Sequence, residues 1–293
     1  MKTLAIWFIA FSFSIPAQLQ AVAPYTITDL GTLGGSSSIA YGINNKGQVV
    51  GESQTSDGAT HAFLYNGSTM IDLGTLGGTN SHAYGINDNG QIVGYAETAN
   101  TTTHAFLYQG SALTDMGTLG GANSYAYGIN NSGQVAGYSQ RSDASSHAFL
   151  YNGSKMVDLG TLGGTTSYAY AINNKGQVAG ASSTTGDNSL DPFLYNGTAM
   201  TDLGSLGGTV STAYSVNDSG QVVGYSNTAH NSASHAFLYK NAAMIDLGGF
   251  GGTWGEATGI NASGQVVCNS IYSGYLYDGT KMTSLNNLIL SPP

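Results

Sequence analysis

The sequence predicts an all-β fold, a six-bladed β-propeller of four-stranded antiparallel blades, and three observations carry that expectation. One segment of 43 or 44 residues recurs six times, in register on Asp-Leu-Gly (Asp29, Asp72, Asp115 followed by Met116, Asp158, Asp202, Asp246). The same copies register on Gly-Gln-Val/Ile at Gly47, Gly90, Gly133, Gly176, Gly220 and Gly264. Within each copy, short runs of β-forming residues are punctuated by Asn, Asp and Gly, and no helical periodicity is found after the N-terminal region. A repeat of this length, rich in β-formers and turns, builds a closed ring of sheets. A β-solenoid is the structural alternative, but its coils usually take about 20 to 29 residues.

The second copy shows the predicted order of elements. Residues 82–87 (His-Ala-Tyr-Gly-Ile-Asn) read as a first strand, and Asp88-Asn89-Gly90 as a turn in which Gly90 adopts positive φ. Residues 91–96 read as the second strand, and residues 97–103 as a polar loop. His-Ala-Phe-Leu-Tyr at 104–108 is the third strand, with apolar groups on both faces, as expected for a sheet sandwiched between neighbours. Gln109-Gly110 turns the chain, as Asn66-Gly67 and Asn152-Gly153 do elsewhere. Residues 113–117 form the fourth strand, and Leu119-Gly120-Gly121 leads on to the next copy. Six copies of the first three strands face seven candidate fourth strands, the extra ones being residues 25–30 and 281–285. Either could complete the last blade. A seven-blade ring is the weaker alternative, since no seventh Gly-Gln-Val hairpin exists.

The chain organisation is a leader followed by one domain. Lys2, an apolar run at 4–15, Pro16 and small residues at Ala17, Ala21 and Ala23 predict a signal peptide over residues 1–23, cut near Ala21 to Ala23. The apolar run is shorter than the about 20 residues that span a bilayer. Residues 24–293 are then a single propeller, secreted to the exterior or periplasm, without membrane insertion and expected to be a monomer. Charged residues are 8% of the chain, the formal net charge is −9 and Arg141 is the only arginine. Nucleic acid needs clustered Lys and Arg, so it is excluded as a partner. Cys268 is the only cysteine, so no intrachain disulfide forms; it stands where five other copies carry glycine and reads as a small buried residue.

His-Ala-Phe-Leu-Tyr at 61–65, 104–108, 147–151 and 235–239, together with Asp-Leu-Gly-Thr-Leu-Gly-Gly and Tyr-Gly-Ile-Asn-Asn-x-Gly-Gln-Val, resembles the HAF-repeat family of extracellular bacterial proteins. The resemblance covers nearly the whole mature chain and implies export and a repeat architecture. It brings no catalytic residue. Copy four departs from it with Asp191-Pro192-Phe193, and copy six with Ser273-Gly274-Tyr275. The layout is also similar to kelch propellers, although there the glycine pair follows the second strand and here the fourth.

The sequence offers no catalytic constellation, metal site or cofactor site. The third-strand histidines would lie far apart around a ring, so they read as polar residues at a strand start rather than zinc ligands. The repeated Asp reads as an acceptor for turn amides rather than a calcium ligand, and the Asn that closes each first strand reads as a turn cap. Antiparallel strands place the first and third turns on one face and the second loops and inter-copy connections on the other. Turns on the first face hardly change between copies, whereas loops on the other differ in each. Near that face the position before each first strand varies as Ile39, His82, Tyr125, Tyr168, Thr212 and Glu256, and Trp254 lies close by. His82, Tyr125, Tyr168, Trp254 and Glu256 are therefore the candidate ligand-binding residues. Aromatic and polar side chains on a rigid scaffold suit a neutral polar ligand, a glycan or an extended peptide of an extracellular protein. The expected function is non-catalytic binding; a glycan-degrading enzyme on the same scaffold and a structural matrix protein are the alternatives.

Overall fold

A computed structural model describes residues 28–287, so the expected signal segment and the candidate strand at 25–30 fall wholly or partly outside the described residues. Within them the chain is all β apart from short 3-10 turns, and successive groups of four strands pair antiparallel in sequence order. Unit one comprises β1 (Gly34–Ile43), β2 (Val49–Thr55), β3 (Thr60–Tyr65) and β4 (Met70–Asp72). Unit two comprises β5 (Gly77–Ile86), β6 (Ile92–Thr98), β7 (Thr103–Tyr108) and β8 (Leu113–Asp115). Unit three follows with β9 (Gly120–Ile129), β10 (Val135–Arg141), β11 (Ser146–Tyr151) and β12 (Met156–Asp158). Unit four has β13 (Gly163–Ile172), β14 (Val178–Thr184), β15 (Leu190–Tyr195) and β16 (Met200–Asp202). Unit five has β17 (Gly207–Val216), β18 (Val222–Thr228), β19 (Ser234–Lys240) and β20 (Ala243–Gly248). Unit six has β21 (Gly255–Ile260), β22 (Val266–Ser270), β23 (Gly274–Tyr277) and β24 (Met282–Ser284). The fourth strand of unit six is thus supplied by the C-terminal segment, paired to β23 through Leu276 and Thr283.

The four central strands of the second copy lie where the sequence puts them, with one correction. The first strand starts at the glycine pair, not at His82: Gly77 pairs with Thr98, and a register shift separates that pair from Ser81 opposite Ala96. The segment read as a connection therefore runs alongside the second strand. His82, Tyr125, Tyr168 and Glu256 lie within the first strands, paired with Tyr95, Tyr138, Ala181 and Asn269, rather than at their very start.

Each first turn is held by one asparagine. Asn44 Oδ1 accepts the Lys46 and Gln48 amides, each at 3.0 Å, while Gly47 takes φ of +74°, a conformation that only glycine adopts without strain. The Asn44 amide group then reaches across to the next unit and donates to the Asn87 carbonyl at 3.0 Å. The same bond links Asn87 to Asn130, Asn130 to Asn173, Asn173 to Asn217 and Asn217 to Asn261. The turn-capping role expected for this residue is present, and the inter-unit bond is added to it.

The core is shared between units. Five apolar clusters each join two successive units; in the first, Val50, Ala62 and Leu64 of unit one meet Ala83, Ile92 and Phe106 of unit two. Phe63, Phe106, Phe149, Phe193 and Phe237 are fully buried, and burying each such ring contributes about 2 to 3 kcal/mol. A third-strand amide also crosses the interface, as Ala62 N donates to Ser81 Oγ at 2.8 Å. Because that amide is not used in the ladder within its own sheet, unit four tolerates Pro192 there. Ser211, the hydroxyl left without this donor, pairs with Ser226 Oγ at 2.8 Å instead. A single parallel bridge between Leu190 and Val210 joins the fourth and fifth sheets into one of eight strands.

The asparagine ladder yields a direct test. The Asn130 side chain, on a residue 3% exposed, bonds its own turn and that of the next unit, whereas the Asn261 side chain bonds only within its own turn. Asn130→Ala should lower stability by about 2 to 3 kcal/mol, because it strands buried amides and a carbonyl. Asn261→Ala should lower it clearly less. Chemical denaturation of the two variants decides the matter; equal losses would mean that the inter-unit bond contributes nothing.

Candidate functional site

The first two strands of successive units bring their aromatic side chains into one continuous band. Two residues apart on a strand, side chains share a face, so Tyr84 accompanies His82, Tyr127 accompanies Tyr125 and Tyr170 accompanies Tyr168. Tyr41 stacks on Tyr84 with ring centroids 4.6 Å apart, and Tyr84 lies 5.0 Å from Tyr127. A parallel path runs from His82 to Tyr95 (4.8 Å), Tyr125 (4.9 Å), Tyr138 (4.8 Å) and Tyr168 (4.9 Å). Tyr170 continues to Tyr214 at 5.7 Å, and Tyr214 to Tyr225 at 5.8 Å. Aromatic pairs at these separations attract by about 0.5 to 1.5 kcal/mol beyond area burial, so the band is stiff as well as continuous.

Carboxylates stand at both ends of the band. Glu52 of unit one receives His82 Nδ1 at 2.5 Å, and both side chains are about one-fifth exposed, at 19% and 22%. Burial first, then the nearby Glu52 carboxylate, pushes the Tyr41 hydroxyl up to about 12. At the far end Glu256 is half-buried beside Asn269, and burial raises its carboxyl above the ordinary range. Between these ends the wall is neutral. Burial raises the hydroxyl pKa values of Tyr84, Tyr127, Tyr170 and Tyr214, and the Tyr84 and Tyr95 hydroxyls lie 3.2 Å apart.

His82, Tyr125, Tyr168 and Glu256 therefore occupy equivalent places along one wall, three of them in direct succession through Tyr95 and Tyr138. Trp254 is not brought to that wall. It bridges Ser234 across the junction of units five and six, the counterpart of Val210 against Leu190 one junction earlier. Beside Val210 lies an open cleft of about 450 Å³ lined by Thr165, Ser183, Asp187, Ser189 and Thr209 among others. Asp187 is already engaged there by the Thr165 amide at 2.8 Å, and that bond holds its carboxyl below the usual range.

Sequence reasoning missed two features. The second-strand tyrosines Tyr95, Tyr138 and Tyr225 belong to the band; their alternation with buried neighbours was the available signal. The third-strand histidines are not merely polar starts. His61, His104, His147 and His235 each pair through Nδ1 with the Asp of Asp-Leu-Gly in the same unit, at 2.8 to 2.9 Å. That Asp also accepts the turn amide two residues on, as Gly74 N to Asp72 Oδ1 at 2.8 Å, which is the role read from the sequence. Where His is lost the partner position shows it: Asp191 faces Asp202 and burial raises its carboxyl, and Ser273 meets Ser284 at 3.2 Å. Among the described residues no group of three His, Cys, Asp or Glu is placed to hold a metal ion, and no helix is long and apolar enough to cross a membrane.

No family model matches the chain, and no curated protein does. Solved structures resemble it. TolB from Acinetobacter baumannii is similar at a TM-score of 0.53 and 13% identity over 72% of this chain and 54% of that one, so the chain spans about half its length. A lectin from Aleuria aurantia in complex with Fucα1-6GlcNAc is similar at a TM-score of 0.47 and 13% identity, over 87% of this chain and 96% of that one. The β-propeller domain of the Trilobed protease from Pyrococcus furiosus is similar at a TM-score of 0.39 and 8% identity, over 85% and 97%. At such identities the likeness bears on fold alone, and the two lower-scoring structures add nothing to it.

Alkali tests the burial of the band. A phenol whose folded pKa lies above its unfolded value of about 10 contributes stability that is present below about pH 10 and lost as pH rises through the folded value. For Tyr41 that window runs from the ordinary value of 10.0 to about 12, and the more deeply buried tyrosines extend it upward. Phenolate absorbance should therefore appear together with loss of β-structure. Titration of all tyrosines at ordinary values in a folded protein would show that the wall is fully solvated.

Proposed function

We propose that this chain is a secreted, non-catalytic binding module, a six-bladed propeller-type scaffold of the HAF-repeat family, and that its tyrosine band receives a neutral glycan. The observation that carries the reading is the continuity of the band. Rings from units one to five touch in succession and present hydroxyls with a carboxylate at each end. Tyrosine supplies rigid contact area at low entropic cost and a polar tip for hydroxyl partners, which suits sugar rings. The balance of Lys+Arg 7 against Asp+Glu 16 disfavours an anionic ligand. His82 Nδ1 is held by Glu52, which fixes the orientation of the ring at the end of the band. Export rests on the N-terminal leader, which places the module outside the cell or in the periplasm.

The test is an array of neutral glycans and extended peptides probed with the mature chain and its variants. Tyr125→Ala and Tyr168→Ala should each weaken glycan binding by about 1 to 3 kcal/mol with β-structure retained. His82→Ala should weaken it by releasing Glu52, and Lys46→Ala, on the opposite turns, should leave affinity unchanged. Loss of binding on Trp254→Ala alone would move the site to the outer junction of units five and six. Retention of peptides only would replace the glycan with a protein ligand.

A further inference from the structure

The repeated interface between units is left half-made at both ends of the chain. Among the described strands, none of β21–β24 packs on β1–β4 as every other successive pair of units packs. The apolar clusters likewise stop at the junction of units five and six. On unit six the exposed half is the leading face. Val267 is half-buried, whereas Val50, Val93 and Val223 at the same place are fully buried. On unit one the exposed half is around Ser38 and Ala40, which are half-buried where Ser81 and Ala83 are fully buried; Val49 and Phe63 keep the burial of their counterparts.

The polar groups at the two ends are complementary. Asn261 Nδ2 has its bond to Gln265 at 2.8 Å but lacks the inter-unit carbonyl that each of its five counterparts has. The matching carbonyl is that of Asn44. Ser38 Oγ donates to Gly31 O at 2.7 Å, as Ser81 does to Gly74, but receives no third-strand amide; Gly274 stands at the position that supplies it. Backbone space agrees. A Cβ on Gly42 would lie 2.7 Å from the Tyr84 carbonyl of the next unit, and one on Gly85 would lie 2.9 Å from that of Tyr127. Gly259, at the same place in unit six, meets only its own Val267. Units four and five carry Ala171 and Ser215 at this place, so it is the contact missing among the described residues, not the glycine itself, that marks the open face.

We infer that a second copy of this chain fills the position, with its unit one seated on unit six of the first. The occupant follows from continuity: unit six offers the leading half, and unit one the trailing half, of an interface already built five times within the chain. Such a head-to-tail contact is heterologous, so it closes into a ring of copies or runs on as a fibre. This departs from the monomer expected of the sequence. It also gives a use to Ile271 and Tyr272 at the edge of unit six, which are 61% and 86% exposed.

Sedimentation of the mature chain over a range of concentrations is the test. Concentration-dependent association is expected. Val267→Asp blocks the unit-six half, and Ala40→Arg blocks the unit-one half; each should weaken association by on the order of tenfold or more. Mixing the two blocked variants leaves one intact half on each, so they should pair one to one and stop there. Circular dichroism checks that each variant folds. A double variant, Asn45→Cys with Ala262→Cys, places thiols at the positions that face one another across internal junctions. Disulfides between chains support the inference. A disulfide within one chain in dilute solution, or a wild-type chain that stays monomeric at every concentration, overturns it.

Discussion

The structure depends on one device, an asparagine that closes a turn in its own sheet and grips the turn of the next. Its oxygen fixes two amides of the Asn-x-x-Gly turn and its nitrogen reaches a neighbouring carbonyl, so local and long-range order use the same side chain. A four-stranded sheet of this size has two apolar faces and cannot stand alone in water. The asparagine sets the spacing at which those faces meet, and the third-strand phenylalanine of units one to five, replaced by Tyr275 in unit six, fills the space between them. Conserving this residue in all six copies is enough to repeat the junction five times with bond lengths between 2.8 and 3.1 Å.

The tyrosine band is a consequence of that spacing. First strands approach so closely that Gly42 and Gly85 have no room for a side chain toward the next unit. At that distance any large residue on the adjoining face must touch its counterpart, and tyrosine at successive positions therefore forms a stack rather than a scatter of exposed rings. Stacking removes the rotamer freedom that a binding surface otherwise loses on meeting its ligand. A scaffold requirement and a recognition surface thus share the same residues, which explains why tyrosine persists there in a chain with so few charges.

The order and spacing of strands were legible because turn chemistry repeats with the same register six times, and comparison of the copies with one another averages out local ambiguity. The beginning of each first strand was not legible. Glycine pairs read as linkers, yet Gly77 and its counterparts pair with the second strand before a register shift. That mistake set His82, Tyr125, Tyr168 and Glu256 at the margin of a strand instead of within it and hid their neighbours Tyr95 and Tyr138. The His–Asp pairs were hidden for a different reason. Their partners lie eleven residues apart on adjacent strands, and only the strand register reveals that they face each other.

Departures from the repeat are informative because the rest is so uniform. Ser273 is answered across the sheet by Ser284, Asp191 accepts from the Ser189 hydroxyl although it faces Asp202, and Pro192 falls at a third-strand position whose amide elsewhere bonds to the next unit. Substitutions in the interior have thus been accepted where geometry already provided for them. Unit six departs more broadly, with Tyr275 in place of the buried phenylalanine and stacked on Phe250 at 4.8 Å, Cys268 in place of glycine, and Glu256 with Asn269 in place of ring residues. These changes lie on its trailing face and along the band. Its leading face instead keeps Val267 and Leu276, residue types that interior units use to receive a neighbour. A face that no described neighbour covers has kept the form of a contact, while the covered face beside it has drifted.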